Sequence, residues 1–296
     1  MREKLTLGGA AFHTLNYLAL TLLAAATLYP FLNLLAISLN QSMDTVKGGI
    51  YLLPRKFTFD NYVLIFQNQR LFSSVSLSVA RTVIGTTLAL IATIMVSYAL
   101  SRTEYVLRKP LNTIIVVSMY VNGGLIPYYL LIKNLGLTNT FLVYIIPGLI
   151  GAFNVMIMRS FFDQLPSGLI ESARMEGASE FQVLTRVVVP ISLPVIATIS
   201  LFVSVGHWNA WIDNFLFNTR ESLSLLQYEL MKILLQSTDQ IGAGNMDSID
   251  PEMMRMTTPE SIRATMTIFV TVPILLVYPF LQKYFIKGMT LGAVKE

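Results

Sequence analysis

Six apolar stretches divide the chain, and they leave little sequence from which a water-soluble core could be built. They run from Leu15 to Leu39, Leu71 to Leu100, Leu111 to Ile132, Thr140 to Phe161, Arg186 to Phe217 and Ile262 to Phe285. A helix that crosses a bilayer needs about 20 mostly apolar residues. Its backbone must also bond within itself, because no water reaches the hydrocarbon. The pattern therefore predicts an all-α polytopic membrane protein with six transmembrane helices. Composition agrees: 54% of the 296 residues are hydrophobic and 13% are charged, with mean hydropathy +0.61. Soluble domains carry roughly 25% charged residues. A soluble protein this apolar would expose patches that drive association. The second and fifth stretches are long enough to tilt or to project beyond the bilayer. The first follows Arg2 and Lys4 like a signal peptide, but its core is too long and further spans follow, so an uncleaved anchor is expected.

Lysine and arginine in short loops set orientation. Arg102, Arg108 and Lys109 lie between the second and third stretches. Arg159, Arg174 and Arg186 flank a polar insert, and Lys283, Lys287 and Lys295 close the chain. With Arg2 and Lys4 this bias places both termini and the insert in the cytoplasm. The net charge of +4 is explained by these positions and does not call for nucleic acid. Without cysteine, disulfides, thiolate chemistry and Cys-based metal sites are excluded. His13 and His207 are too few and too scattered for a zinc site. Pro127, Pro147, Pro190, Pro194, Pro273 and Pro279 punctuate the spans; each frees backbone groups that neighbouring helices or cavity water must satisfy.

The polar insert reads E-S-A-R-M-E-G-A-S-E-F-Q from Glu171 to Gln182. Pro166 and Ser167 signal a helix start, with the Glu171 acid in or near the first turn, where it suits the dipole. Leu169, Ala173, Gly177 and Phe181 follow at four-residue spacing and predict one apolar stripe. Gly177 is placed to end the helix in a left-handed cap. Ser179 with Gln182 forms a capping box ahead of the next apolar run. The expectation is helix, tight break, helix, either as a simple elbow or as a docking element; Ala173, Gly177 and Ala178 are small enough to let another backbone approach.

E-S-A-R-M-E-G-A followed by Pro190 resembles the cytoplasmic loop of binding-protein-dependent ABC importer permeases: Glu-Ala-Ala, three residues, Gly, then Pro about a dozen residues on. Glu171, Ala173, Gly177 and Pro190 match; Ser172 replaces an alanine, and Glu176 stands where Asp is usual. S-Y-A-L-S-R (97–102), G-L-I-P-Y-Y-L-L-I-K-N-L-G-L-T-N-T (124–140), G-H-W-N-A-W (206–211) and Y-F-I-K-G-M-T-L-G-A-V-K-E (284–296) resemble the carbohydrate-uptake branch. These motifs are similar to those of oligosaccharide and polysaccharide-fragment importers, and more distantly to the maltose-type second permease. The resemblance covers nearly the whole chain. It implies a type I ABC importer permease fold in which the insert is a coupling helix seated on an ATP-binding subunit. Glu171, Ser172, Ala173, Arg174, Glu176, Gly177 and Ala178 then carry ATPase coupling. The implied partners are a homologous second permease, two ATPase subunits and an external solute-binding protein. The sequence has no G-x-x-x-x-G-K-[ST] phosphate loop, so ATP and magnesium belong to the partner.

This organisation gives an anchor span and first outer segment over 1–70, and a permease core over 71–285. The core has a coupling loop near 163–185 and an irregular outer loop near 218–262, and a cytoplasmic tail follows over 286–296. Polar residues inside spans usually face the bundle or water. Tyr120, Asn122, Asn154, Trp208, Asn209, Trp211 and Asp213 are the candidates for a substrate path, as aromatics that stack on sugars beside groups that bond hydroxyls. Equally, the tryptophans fit an interfacial belt, Asn122 and Asn154 fit interhelical hydrogen bonding, and His207 fits packing. Arg81 either pairs with Asp213 or snorkels outward. A membrane enzyme would need paired carboxylates or a histidine cluster. An ion-coupled secondary transporter would show internal repeats and discontinuous spans; the sequence shows no repeat.

Overall fold

The computed structural model describes residues 7–239 and 258–293. Among these it is helical, with one isolated antiparallel bridge, Asn40 to Phe57. Two compact units divide the chain: residues 1–68 with 232–272, and residues 69–231 with 273–296.

In the first unit, α1 (Leu7–Ser38) is a long apolar helix whose span is only 11% buried. Leu15, Leu18, Leu22 and Leu28 all face outward, as lipid contact requires. Only its last turn enters a core, where Ala36 and Ile37 meet Ile50 and Ala264. The chain then folds back through α2 (Ser42–Thr45) and α3 (Asp60–Gln67) on buried side-chain hydrogen bonds. The Asn61 amide donates to the carbonyls of Ser38 and Asn40, at 2.9 Å each, and its oxygen accepts from Ser42 at 2.7 Å.

In the second unit, α4 (Gln69–Ser101) is the hub. Its 33 residues extend about 50 Å at ~1.5 Å per residue, well beyond a hydrocarbon core of ~30 Å. Its buried face carries Ser74, Ser78, Arg81, Gly85, Ala89, Thr93 and Ser97, three or four residues apart. Apart from Arg81 these side chains are small, and they let helices pack closely where the hydrophobic effect gives no drive. The helices packed there are α7 (Ala152–Phe162) and α11 (Leu193–Asn209). Hydroxyls elsewhere on α4 bond back to their own helix, Thr82 to the Ser78 carbonyl and Thr87 to the Val83 carbonyl, each at 2.8 Å.

Three expected spans are single helices: Ala11–Ser38, Gln69–Ser101 and Pro259–Val277, the last part of α14 (Pro259–Ala293). The others are interrupted. The stretch Leu111–Ile132 is split into α5 (Arg108–Tyr120) and α6 (Leu125–Asn134). The break falls at Gly123 and Gly124, where Gly124 takes φ +86°, a region costly for any residue with a Cβ. The fourth stretch bends by 46° between Phe141–Gly148 and Ala152–Phe162, and the fifth by 84° between Glu180–Ile191 and Leu193–Asn209. Among the described residues, three helices are long and apolar enough to cross a bilayer, or up to five spans form if each bent pair is one.

The fifth stretch differs most from expectation. It starts at α9 (Glu180–Val183), upstream of Arg186, and passes through a π-helical turn, Leu184–Val188, into α10 (Val189–Ile191). Pro190 would press its ring on the carbonyl four residues earlier, and the wider π turn relieves that contact. At the other end, Ala210 and Trp211 interrupt the helix before α12 (Ile212–Phe217), so Phe217 is not part of the same helix. The expected outer loop near 218–262 contains a helix, α13 (Leu226–Asp239), and residues 240–257 lie outside the described residues. The expected tail continues α14 as far as Ala293, while residues 294–296, Arg2 and Lys4 also lie outside.

Candidate functional site

The polar insert forms an elbow whose two arms are set by local chemistry. α8 (Ser167–Met175) starts after Pro166 and ends at Gly177, with φ +83°. The Gly177 amide donates to the Arg174 carbonyl and the Ala178 amide to the Ala173 carbonyl, both at 3.0 Å. This is the paired closure of a Schellman cap. Ser179 then opens α9: its hydroxyl accepts from the Gln182 amide, and the Gln182 side chain accepts from the Ser179 amide at 2.8 Å. Glu171 lies one residue past the first turn, which holds no acid.

Burial divides the predicted apolar stripe. Ile170 is buried in a core with Tyr98, Met158, Phe162, Val183 and Val188, and Ala173 and Ala178 pack against it. Leu169 and Phe181 point away, 46% and 68% exposed, and Met175 is 89% exposed. The elbow is thus anchored by Ile170 and the two alanines, while Glu171, Ser172, Glu176 and Gly177 stay exposed beside these outward apolar side chains. It offers a mixed apolar and acidic surface to something else.

Arg174 ties the elbow down. Its guanidinium donates to Glu104, in the loop after α4, and to Glu180, at the start of α9, both at 2.8 Å. The Tyr98 hydroxyl at the end of α4 donates to the other Glu180 oxygen at 2.6 Å. The Arg102 guanidinium lies over the Tyr98 ring, 5.0 Å from its centroid. The hydrogen bond from Arg174 holds the Glu104 carboxyl below the usual carboxylate range. Glu104 and Glu180 in turn push the Arg174 guanidinium above its ordinary value. Nearby, Asp163 pairs with Arg108 at 3.4 Å and Arg159 at 3.3 Å, joining the start of α5 to the end of α7. Glu104 and Tyr98 had no signal of this role in the sequence, since their partner lies more than one element away.

The path candidates occupy separate segments. Tyr120, 83% exposed, ends α5, and the exposed Asn122 uses its carbonyl to accept the Gly124 amide at 2.9 Å. Asn154 is half-buried on α7. Trp208 is buried against an apolar groove of about 260 Å³ lined by Val79, Val83, Leu201, Val205 and Ile274. Asn209 is exposed at the end of α11, and Trp211 packs on Phe215 with 6.4 Å between ring centroids. Asp213 is engaged by Arg81, which also donates to the Ala210 carbonyl at 3.1 Å and sits 4.9 Å from the Tyr144 ring. Arg81 therefore pairs and does not snorkel. Its partner binds α12 to α4 across the Ala210–Trp211 break. His207 packs so closely on α4 that a Cβ at Gly85 would meet its ring at 2.7 Å.

Comparison with known proteins adds a family. Residues 68–291 match the model described as "Binding-protein-dependent transport system inner membrane component". The polygalacturonan/rhamnogalacturonan transport system permease protein YtcP of Bacillus subtilis is 35% identical over 285 residues, covering 96% of this chain and 98% of that protein. Protein LplC of the same bacterium is 37% identical over 291 residues, covering 98% and 97%. Among solved structures, a bacterial ABC transporter involved in the import of the acidic polysaccharide alginate has a chain that superposes with TM-score 0.86 at 26% identity. That match covers 95% of this chain and 98% of that one.

Proposed function

The chain belongs to the family of binding-protein-dependent transport system inner membrane components, and from that premise we propose that it is one permease subunit of an ATP-driven importer for an oligosaccharide or glycan fragment. An external solute-binding protein delivers the cargo. A homologous second permease completes the translocation path, and two copies of a separate ATPase drive it. The chain resides in the cell membrane with six spans and both termini in the cytoplasm. The broken fourth and fifth stretches each count as one crossing, and α5 with α6 makes the third. Transport proceeds by alternating access, without covalent chemistry by this chain.

The observation that carries the reading is the elbow: a capped helix, buried on one side through Ile170 and exposed on the other through Glu171, Met175, Glu176 and Gly177. α8 serves as the coupling helix, with its Leu169 and Met175 and the Phe181 of α9 as apolar contacts on the ATPase. Helix breaks of the kind seen in ion-coupled transporters are present, but family membership favours the ABC reading. Uronate-containing fragments are the favoured cargo within the glycan class, because YtcP is named for polygalacturonan and the superposing structure for acidic alginate.

The test is co-purification with the ATPase and uptake by the assembled transporter, comparing wild type with Gly177→Asp. An Asp at φ +83° is strained, and it brings a charge to the contact. Loss of coupled uptake with the chain still folded supports the reading. An intact complex with ATP-dependent uptake at the wild-type rate overturns it, as does ATP hydrolysis by the purified chain alone. A panel of acidic and neutral oligosaccharides, offered to the external binding protein, tests the cargo.

A further inference from the structure

α8 is a nine-residue helix joined to the bundle through the buried Ile170 and the half-buried Ala173, with Ala178 packing just past its end. Such an anchor resists pulling away better than it resists swivelling. The side chains that oppose rotation come from three other segments. Glu104, in the loop after α4, and Glu180, on α9, grip Arg174 from two sides at 2.8 Å each. Tyr98, on α4, fixes Glu180 from behind at 2.6 Å. Tyr98 belongs to the same core as Ile170, and Arg102 covers its ring. Arg174 therefore spans two carboxylates with separate edges of one planar group, an arrangement lysine cannot copy.

We propose that Tyr98, Glu104 and Glu180 are positioning residues that hold α8 through Arg174 at a fixed angle to the end of α4, so that a push on α8 turns α4. The inference rests on the reading of α8 as the coupling helix and adds the route by which its motion enters the bundle. α4 packs on both α7 and α11, so a rotation delivered at Tyr98 reaches most of the second unit. Without the clamp, α8 swivels on Ile170 and ATPase movement is lost in the elbow.

This chain has no cysteine, so with its partners rendered cysteine-free the two introduced thiols are the only labelling sites. Val106 is 89% exposed, and a Cβ at Gly168 would meet nothing within 4 Å. Spin labels on Val106→Cys and Gly168→Cys in the assembled transporter report the distance between the loop after α4 and α8. Wild type is expected to give a narrow distribution. Tyr98→Phe and Glu104→Ala, alone and together, are expected to broaden it, about twofold in the double variant. They are also expected to lower the stimulation of ATPase by loaded binding protein several-fold, with basal hydrolysis and subunit stoichiometry kept. Raising salt from about 0.1 M to about 1 M shortens the Debye length from ~10 Å to ~3 Å. It is expected to broaden wild type but to add little to Glu104→Ala, a response that lost packing would not give. Unchanged width and unchanged stimulation in the double variant overturn the clamp. Gly177→Asp tests docking separately: if it uncouples transport while the double variant does not, docking stands and the clamp fails. If Gly177→Asp leaves coupling intact, the docking reading itself fails.

Discussion

Arg81 and Asp213 show how much one pair with a buried arginine and a half-buried aspartate can decide. Arg81 is 3% exposed, and with Asp213 it closes the gap between α11 and α12. Removing one member of a buried pair strands the other's charge, at roughly 3–5 kcal/mol in soluble proteins, whereas replacing both with apolar groups is often neutral. Asp213→Asn is therefore expected to lower the thermal midpoint of the purified complex more than the double replacement Arg81→Met with Asp213→Leu. A single variant as stable as wild type would contradict the pairing. The sequence left pairing and snorkelling open for a physical reason: the two residues are 132 positions apart, and no local pattern links them. Glu104 carries a second residue-level prediction. Its carboxyl is held low by Arg174, so the tether is present above the ordinary glutamate pKa, ~4.3, and is lost only as pH falls through the lowered value. The Val106–Gly168 distance is expected to stay constant from about pH 8 to about pH 6 and to broaden only well below the ordinary glutamate range. The effect is small, ~0.2–1 kcal/mol, because the Glu104 side chain is 62% exposed. Broadening that begins above about pH 6 would assign the change to another group.

At the scale of elements, what could be read from the sequence was what is encoded within four residues. The Gly177 stop and the Ser179–Gln182 box are local hydrogen-bond patterns, and both stand in the structure as expected. Ser179→Ala should therefore cost about 0.5–2 kcal/mol at the start of α9. Amide hydrogen exchange over residues 180–183 is expected to quicken, while exchange in the middle of α4 does not; equal rates in both proteins would mean that the box does not hold this turn. The face that α8 buries was less legible. A four-residue period marks Leu169, Ala173, Gly177 and Phe181 as one stripe, but the core selected Ile170 and Ala173 and left Leu169 and Phe181 outside. Periodicity finds a stripe without telling whether it faces this chain or another, and a surface kept for a partner looks the same as a core face. The prolines likewise announced breaks in the fifth stretch, but the 84° bend depends on how α11 packs against α4, which is a tertiary matter.

At the scale of the molecule, hydrophobic length identified the class and could not by itself count the crossings. The fourth stretch is the deciding case. α7 has 11 residues and covers about 16 Å at ~1.5 Å per residue, too short for a hydrocarbon core of ~30 Å. The preceding tight turns, Phe141–Tyr144 and Ile146–Gly148, hold four and three residues and add about 14 Å at ~2.0 Å each. Together they reach ~30 Å, enough for a single crossing despite the 46° bend. A re-entrant loop would use the same length to return to its starting side, so the two cases differ in where the flanks lie. Leu135, 61% exposed after α6, and Gly168, at the start of α8, are those flanks. In an otherwise cysteine-free chain, Leu135→Cys is expected to react with a membrane-impermeant maleimide on intact cells. Gly168→Cys is expected to react only in inverted vesicles. Labelling of both from one side would make the fourth stretch re-entrant. Labelling of Gly168→Cys from outside would remove α8 from any contact with a cytoplasmic ATPase, and with it the mechanism that the elbow supports.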